Sequence, residues 1–170
     1  MKLGEMKPGS KFKNELGEFI VLNHNDGLTK VVTAGLYKED VVFGNTCNYM
    51  DSSLKKIFDE EITPEFEKVF GDALISKELN LLSLDMQQYG TFECKVRPMT
   101  LDEAREFNDL IVDKNLPDWW WTCTPWSTAE RGWRYSVVVV SPSGNFFNYF
   151  YDYYRGVRPF CILKSDLLVS

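Results

Sequence analysis

Between Tyr135 and Leu163 the chain changes too quickly between apolar runs and turn signals to leave room for helices. YSVVVV is followed by SPSGN, then FFNYFYDYYR, then GVRPFCIL. Short runs of β-branched and aromatic residues, bounded by Ser, Pro, Gly and Asn, read as strands joined by tight connections. This end of the chain is therefore expected to be β structure, preceded by a further strand in DWWWTCTPW.

The N-terminal third carries the same signal. Glu18–Leu22 (EFIVL) and Lys30–Thr33 (KVVT) flank HNDG, and Asp26-Gly27 predicts a β-hairpin turn. The middle is helical. Asp51-Ser52-Ser53 caps a short helix bearing Leu54, Ile57 and Phe58. Thr63-Pro64-Glu65 starts a second, with Thr63 as N-cap, Phe66, Val69 and Phe70 on one face and Gly71 as the stop. Leu79–Leu84 (LNLLSL) suits a buried strand. Thr100-Leu101-Asp102-Glu103 is a capping box ahead of a third helix, in which Ala104, Phe107, Leu110 and Ile111 recur at helical spacing. Strands, a helical middle and more strands predict one α+β domain over 1–170, with antiparallel strands and two or three short helices.

Composition narrows the function. Hydrophobic residues make up 44% and charged residues 26%, but the aromatic share of 15% exceeds what a core of this size usually takes, so some aromatics are expected to serve recognition. The net charge of −6 argues against a nucleic-acid face. No apolar run approaches a membrane span, and the opening residues lack the apolar core of a signal peptide, so a cytosolic protein is expected. Cys47, Cys94, Cys123 and Cys161 are widely spaced without a CxxC pair, which reads as buried free thiols.

Sites for chemistry are sparse in the sequence. His24 is the sole histidine and reads as a solvated loop residue beside the hairpin turn, so no metal site is expected. The acidic groups Asp59-Glu60-Glu61 and Asp102-Glu103 read as helix first-turn carboxylates that complement the dipole. With no GxGxxG and no P-loop, no cofactor and no enzymatic activity are expected.

From Trp119 onward the order is WWWTCTP, a variable stretch, VSPSGN, a second variable stretch and GVRPFCIL. It resembles the DUF6273 family of Firmicutes and their phages, as do SSLKKIFDEEITPEF and LNLLSLDMQQYG, so that the resemblance spans about Gly17 to Leu163. It implies a C-type-lectin-like fold, in which the first and last strands pair and a loop-rich region displays ligand contacts. The family's usual Arg after its Trp pair is absent here, where Trp120-Trp121 precede Thr122-Cys123-Thr124. The calcium-binding lectin motif is absent as well, and so is the cysteine pair of formylglycine-generating enzyme, since Cys123 and Cys161 lie far apart in sequence. Within GVRP, Gly156 reads as a site of close backbone approach or positive φ, Arg158 as a tie to loop carbonyls or a carboxylate, and Pro159 as the entry to the last strand.

Read as one strand, Phe146–Tyr154 alternates Phe147, Tyr149, Tyr151 and Tyr153 on one side, with Phe146, Asn148, Phe150, Asp152 and Tyr154 on the other. Tyr offers contact area at low entropic cost. The expected function is a non-enzymatic binding protein, encoded by a phage or mobile element, that engages a protein, or less readily a glycan, through Trp126, Trp133, Phe147, Tyr149, Tyr151 and Tyr153. Two alternatives stay open: a phage inhibitor of a bacterial defence nuclease, of anti-CRISPR type, and an enzyme related to formylglycine-generating enzyme.

Overall fold

A computed structural model describes residues 1–170. It is α+β, with three sheets. The first sheet has the order β1-β2-β3-β12-β7, built from β1 (Lys11–Asn14), β2 (Gly17–Asn25), β3 (Leu28–Thr33), β12 (Pro159–Lys164) and β7 (Val96–Pro98). The second has the order β10-β9-β8-β11-β4, from β10 (Phe146–Phe150), β9 (Ser136–Val140), β8 (Trp120–Pro125), β11 (Tyr154–Val157) and β4 (Lys38–Val42). The third is a hairpin of β5 (Lys77–Leu82) and β6 (Gln88–Cys94). Neighbours are antiparallel except β8 and β11, which run parallel where Gly156 pairs with Trp120.

The continuous apolar runs have a direct cause. Alternate residues of one strand feed two different cores: Phe19, Val21, Val31, Trp121, Val137, Val139 and Cys161 enter the larger, whereas Ile20, Leu22, Val32, Trp120, Val140 and Phe160 enter the smaller. Strands buried on both faces lose the apolar–polar alternation of a one-sided sheet. The β2–β3 hairpin turns as expected, with Asp26 at φ 51° and Gly27 at φ 74°, both positive as a type I′ turn requires.

The two helices expected between Ser53 and Gly71 form one unbroken rod. α1 (Ser53–Ile57), capped by Ser52, passes through a π turn (Phe58–Ile62) into α2 (Thr63–Phe70). Thr63 is therefore helical, not an N-cap, and its amide donates to the Phe58 carbonyl five residues back. Pro64 explains the π turn, because its ring has no N–H and crowds the carbonyl four residues earlier; the wider turn relieves both faults. Gly71, at φ 53°, ends the rod as expected. The acidic run at Asp59 lies in this π turn rather than in a first helical turn, and Asp59 pairs with Lys55 at 2.6 Å.

Other expectations need correction. The third helix is two pieces, α3 (Leu101–Glu106) and α4 (Asn108–Ile111), broken where Phe107 departs to φ −102°, ψ 16°. LNLLSL is not a buried strand: β5 begins at Lys77, and only Leu81 of the strand is fully buried, because the β5–β6 hairpin stands against one side of the domain. His24 is no loop residue; it lies in β2, with Nδ1 2.7 Å from Thr29 Oγ1 and Nε2 2.7 Å from the Met6 carbonyl. Among the thiols, Cys94 is only half-buried. The last strand pairs with β3 and β7, not with β1; the chain ends meet in a bridge between Lys2 and Leu168.

GVRP is the junction where the chain leaves the second sheet for the first. Arg158 sits between β11 and β12 with no exposed surface. Its Nε donates to the Thr33 carbonyl (2.8 Å), Nη1 to Ile111 (2.7 Å) and Nη2 to Ala34 (2.9 Å), and its guanidinium lies 5.2 Å from the Trp120 ring. Burial lowers its pKa to about 10, against the opposing pull of Asp113. Gly156 serves close approach rather than positive φ, since a Cβ there would meet Leu36 Cδ1 at 2.5 Å. Pro159 opens β12 as expected.

Candidate functional site

The aromatic run is not one strand. β10 ends at Phe150, residues 151–153 turn, and β11 begins at Tyr154 on the far side of β8. The Tyr153 amide donates to the Phe150 carbonyl (3.1 Å), and the Tyr151 carbonyl accepts from the amides of Phe43 (2.9 Å) and Gly44 (3.0 Å). Simple alternation therefore holds for Phe147 and Tyr149 and fails at Tyr151 and Tyr153, which leave the sheet edge with the turn.

Four aromatics pack into one cluster around Arg155. Phe147 lies 4.7 Å from Trp119, Tyr149 meets Trp119 edge-on at 5.6 Å, and Tyr153 lies 5.3 Å from Tyr149. The Arg155 guanidinium stacks 3.8 Å from the Tyr149 ring centroid and reaches Asp118 at 3.8 Å. Phe150 meets Tyr153 edge-on at 5.6 Å.

The loop after β8 supplies the opposite wall. Asp85 holds it by accepting from Ser83 Oγ (2.5 Å), Ser127 Oγ (2.6 Å) and Arg131 Nη1 (3.0 Å), while the Tyr89 hydroxyl donates to the Ser127 carbonyl (2.5 Å). Those donors, Ser127 first, hold the Asp85 carboxyl down to about 2. Gly132, at φ 82°, ends a single helical turn and lets the chain fold back so that Trp126 and Trp133 lie 6.4 Å apart.

Two open cavities result. One, of about 470 Å³, is lined by Trp133, Tyr135, Tyr149, Phe150 and Tyr153, with Ser136 and Asn148 among its polar members. The other, of about 560 Å³, is more polar; Asn45, Gln88, Tyr89, Glu130 and Arg134 line it with Tyr135 and Tyr151. Tyr135 borders both, its ring 5.9 Å from that of Tyr151. Of the expected residues, Trp133, Tyr149 and Tyr153 come together in the first cavity and Tyr151 falls in the second. Trp126 is half-buried and supports Trp133 from behind, and Phe147 lines neither cavity. Tyr135, Phe150 and Arg155 belong to the surface although sequence reasoning passed over them. The positions of Tyr135 and Arg155, at the limits of the apolar runs, were the available signal.

Every exposed aromatic of the chain falls between residues 133 and 154: Trp133, Tyr135, Phe147, Phe150, Tyr153 and Tyr154, each between 41% and 62% exposed. The charge is local too. Residues 115–163 carry Arg131, Arg134, Arg155 and Arg158 against Asp118, Glu130 and Asp152, so the segment is near neutral in a chain of net charge −6.

The sequence signature of a Domain of unknown function, DUF6273, matches residues 36–165. The chain belongs to the DUF6273 family. The match begins after β3, so the first hairpin of the sheet precedes the shared DUF6273 region, and the resemblance starts later than the sequence motifs indicated. Both cavities and the GVRP junction lie inside the DUF6273 region. No curated protein and no solved structure matches the chain. No helix is long and apolar enough to cross a membrane.

Proposed function

We propose that this DUF6273 protein is a non-enzymatic binding protein that engages a protein partner through the aromatic surface around Tyr135. The observation that carries the reading is the confinement of every exposed aromatic to residues 133–154, beside two cavities. Isolated apolar residues on a surface are ordinary, but a contiguous group of Trp, Tyr and Phe with Arg has the composition of binding hot spots. Trp133, Tyr135, Phe147, Phe150 and Tyr153 each pack against another ring, and Tyr149 packs on Arg155, so they are held in place before a partner arrives and little side-chain entropy is lost on binding. A C-type-lectin-like scaffold, a phage or mobile-element origin and a cytosolic setting complete the proposal; the meeting of the two chain ends and the loop-borne cavities support the scaffold.

The test is capture from the producing cell with the wild-type chain and with a Trp133→Ala, Phe150→Ala, Tyr153→Ala variant. A protein retained by the first and lost by the second is expected, each ring contributing about 2 kcal/mol. Equal retention by a folded variant overturns the site.

The separation of charge favours a second reading. The net negative charge of the chain lies outside the aromatic segment, and an acidic face suits a partner whose own surface is basic, such as a nuclease. Titration against a guide-loaded bacterial nuclease tests inhibition, and unchanged cleavage at large excess removes this reading.

A further inference from the structure

β10 is an outer strand of the second sheet, and its register with β9 shows which of its backbone groups are free. The Tyr151 amide donates to the Tyr135 carbonyl and the Ser141 amide to the Asn145 carbonyl, both at 2.9 Å, so these two opposed pairs occupy bonded positions of the ladder. In an antiparallel ladder, bonded and non-bonded pairs alternate. Phe147–Val139 and Tyr149–Val137 are then the bonded pairs between them. The amides and carbonyls of Phe146 and Asn148 and the amide of Phe150 point away from β9, where no strand pairs with them. The Phe150 carbonyl is already engaged by Tyr153.

Such an edge is a template for another strand unless something blunts it, and the other edges of this protein are blunted. β1 carries Lys11 and Lys13; β4 carries Lys38, Glu39 and Asp40, with Asp40 at φ 55°; β7 is three residues long and ends in Pro98; β5 and β6 carry Lys77, Glu78 and Glu93 and share a bulge. Charges, proline, shortness and bulges are the usual protections. β10, FFNYF, has no charge, no proline and no bulge.

We propose that β10 pairs with β10 of a second copy of this chain, antiparallel, about a two-fold axis at Asn148. The free groups match about that residue except at one position, where the Phe146 amide faces the engaged Phe150 carbonyl and stays with solvent. Each Asn148 amide donates to the other copy's Asn148 carbonyl, and each Phe150 amide donates to the other copy's Phe146 carbonyl. The one carbonyl left out is that of Phe150, which is already bonded within its own chain. Any charged residue at the axis would face its own copy, an unfavourable opposition; Asn148 is neutral, and its side-chain amide can both donate and accept. Across the seam Phe146 faces Phe150, an aromatic cross-strand pair. The pairing joins two five-stranded sheets into one and is isologous, so it closes at the dimer. The pairing shares Phe150 with the partner-binding reading, but it is tested at the Asn148 backbone on the purified chain alone, so the two can fail separately.

The experiment is sedimentation velocity on the full chain over a broad concentration range, with Asn148→Lys, Asn148→Pro and Asn148→Cys variants. The wild type is expected to move from a 19.7 kDa species to one of twice that mass as concentration rises. Asn148→Lys places two like charges on the axis and weakens association about tenfold or more. Asn148→Pro removes an amide that bonds nothing within the chain, so the fold persists by circular dichroism while the dimer is lost. Asn148→Cys forms an intermolecular disulfide on oxidation, and a control Thr91→Cys on β6 does not. A wild type that stays monomeric throughout overturns the proposal, as does a dimer indifferent to Asn148→Lys and Asn148→Pro.

Discussion

Arg155 lies 3.8 Å from the ring centroid of Tyr149 and 5.9 Å from that of Trp119, so one guanidinium organises the aromatic cluster beside β10. A planar cation can stack on a ring, whereas an ammonium acts as a point charge. Arg155→Lys is expected to fold, to lose about 1 kcal/mol of stability in urea unfolding, and to shift Trp119 fluorescence to longer wavelength as water enters. An unchanged emission maximum and unchanged unfolding midpoint would show that the stack organises nothing.

Arg158 tests the junction between the sheets. It supplies hydrogen bonds to three carbonyls, those of Thr33, Ala34 and Ile111, on segments distant in sequence. Arg158→Met keeps much of the volume but leaves those carbonyls buried without donors, at about 1–3 kcal/mol for each group so stranded. Arg158→Lys is expected to rescue only part of the loss, because one ammonium cannot reproduce the fork. The readout is the denaturation midpoint of each variant, and a midpoint near wild type for Arg158→Met would deny the junction role.

The sequence carried some of this and not the rest, for physical reasons. Turns that require positive φ announce themselves through Gly and Asp, so the Asp26-Gly27 hairpin was legible. The Thr100 capping box was too, because its signal is local. The break at 151–153 was invisible, since Tyr and Asp occur in strands and turns alike, and what bends the chain is the pairing of Tyr151 with Phe43 and Gly44, far away in sequence. Thr63-Pro64 has the chemistry of a helix start, and only the tertiary packing of Phe58, Ile62 and Phe66 keeps the rod continuous through it. The candidate surface was half legible: its rings were, but their division between two cavities depends on Asp85, a residue in another hairpin.

Glu103 predicts an acid-sensitive step. It accepts two bonds from Arg97, at 2.7 and 2.9 Å, while also capping Thr100, and both side chains are largely buried. Burial alone would raise the carboxyl, but the Arg97 bonds and charge outweigh it and hold the group below its ordinary 4.5. A carboxyl depressed on folding contributes stability that is complete above the unfolded value and is lost as pH falls through the folded one. Stability should therefore be flat above about pH 5 and decline below it. Glu103→Gln is expected to cost about 3–5 kcal/mol, by leaving Arg97 buried without its partner, and to remove part of the decline. Denaturant unfolding of both chains across the acid range checks each half; parallel pH profiles would sink the assignment.

Asp85 predicts that the loop bearing Trp133 loosens without global unfolding. Its carboxylate gathers Ser83, Ser127 and Arg131, the last two on the loop itself. Asp85→Asn keeps the size but weakens acceptance from Ser127 and the attraction to Arg131, so hydrogen exchange at residues 126–134 should quicken while β8 and β9 stay protected. Acid should act in the same direction. The hydrogen bonds to Ser127 and Ser83 lower the group to about 2, so its contribution is complete above the ordinary 3.8 and fades as pH falls toward 2. The same variant should weaken capture of a partner that enters the cavity beside Trp133 and leave β10 self-pairing unaffected. Equal exchange in wild type and variant would mean that the loop is held by Tyr89 and the Trp126–Trp133 contact alone.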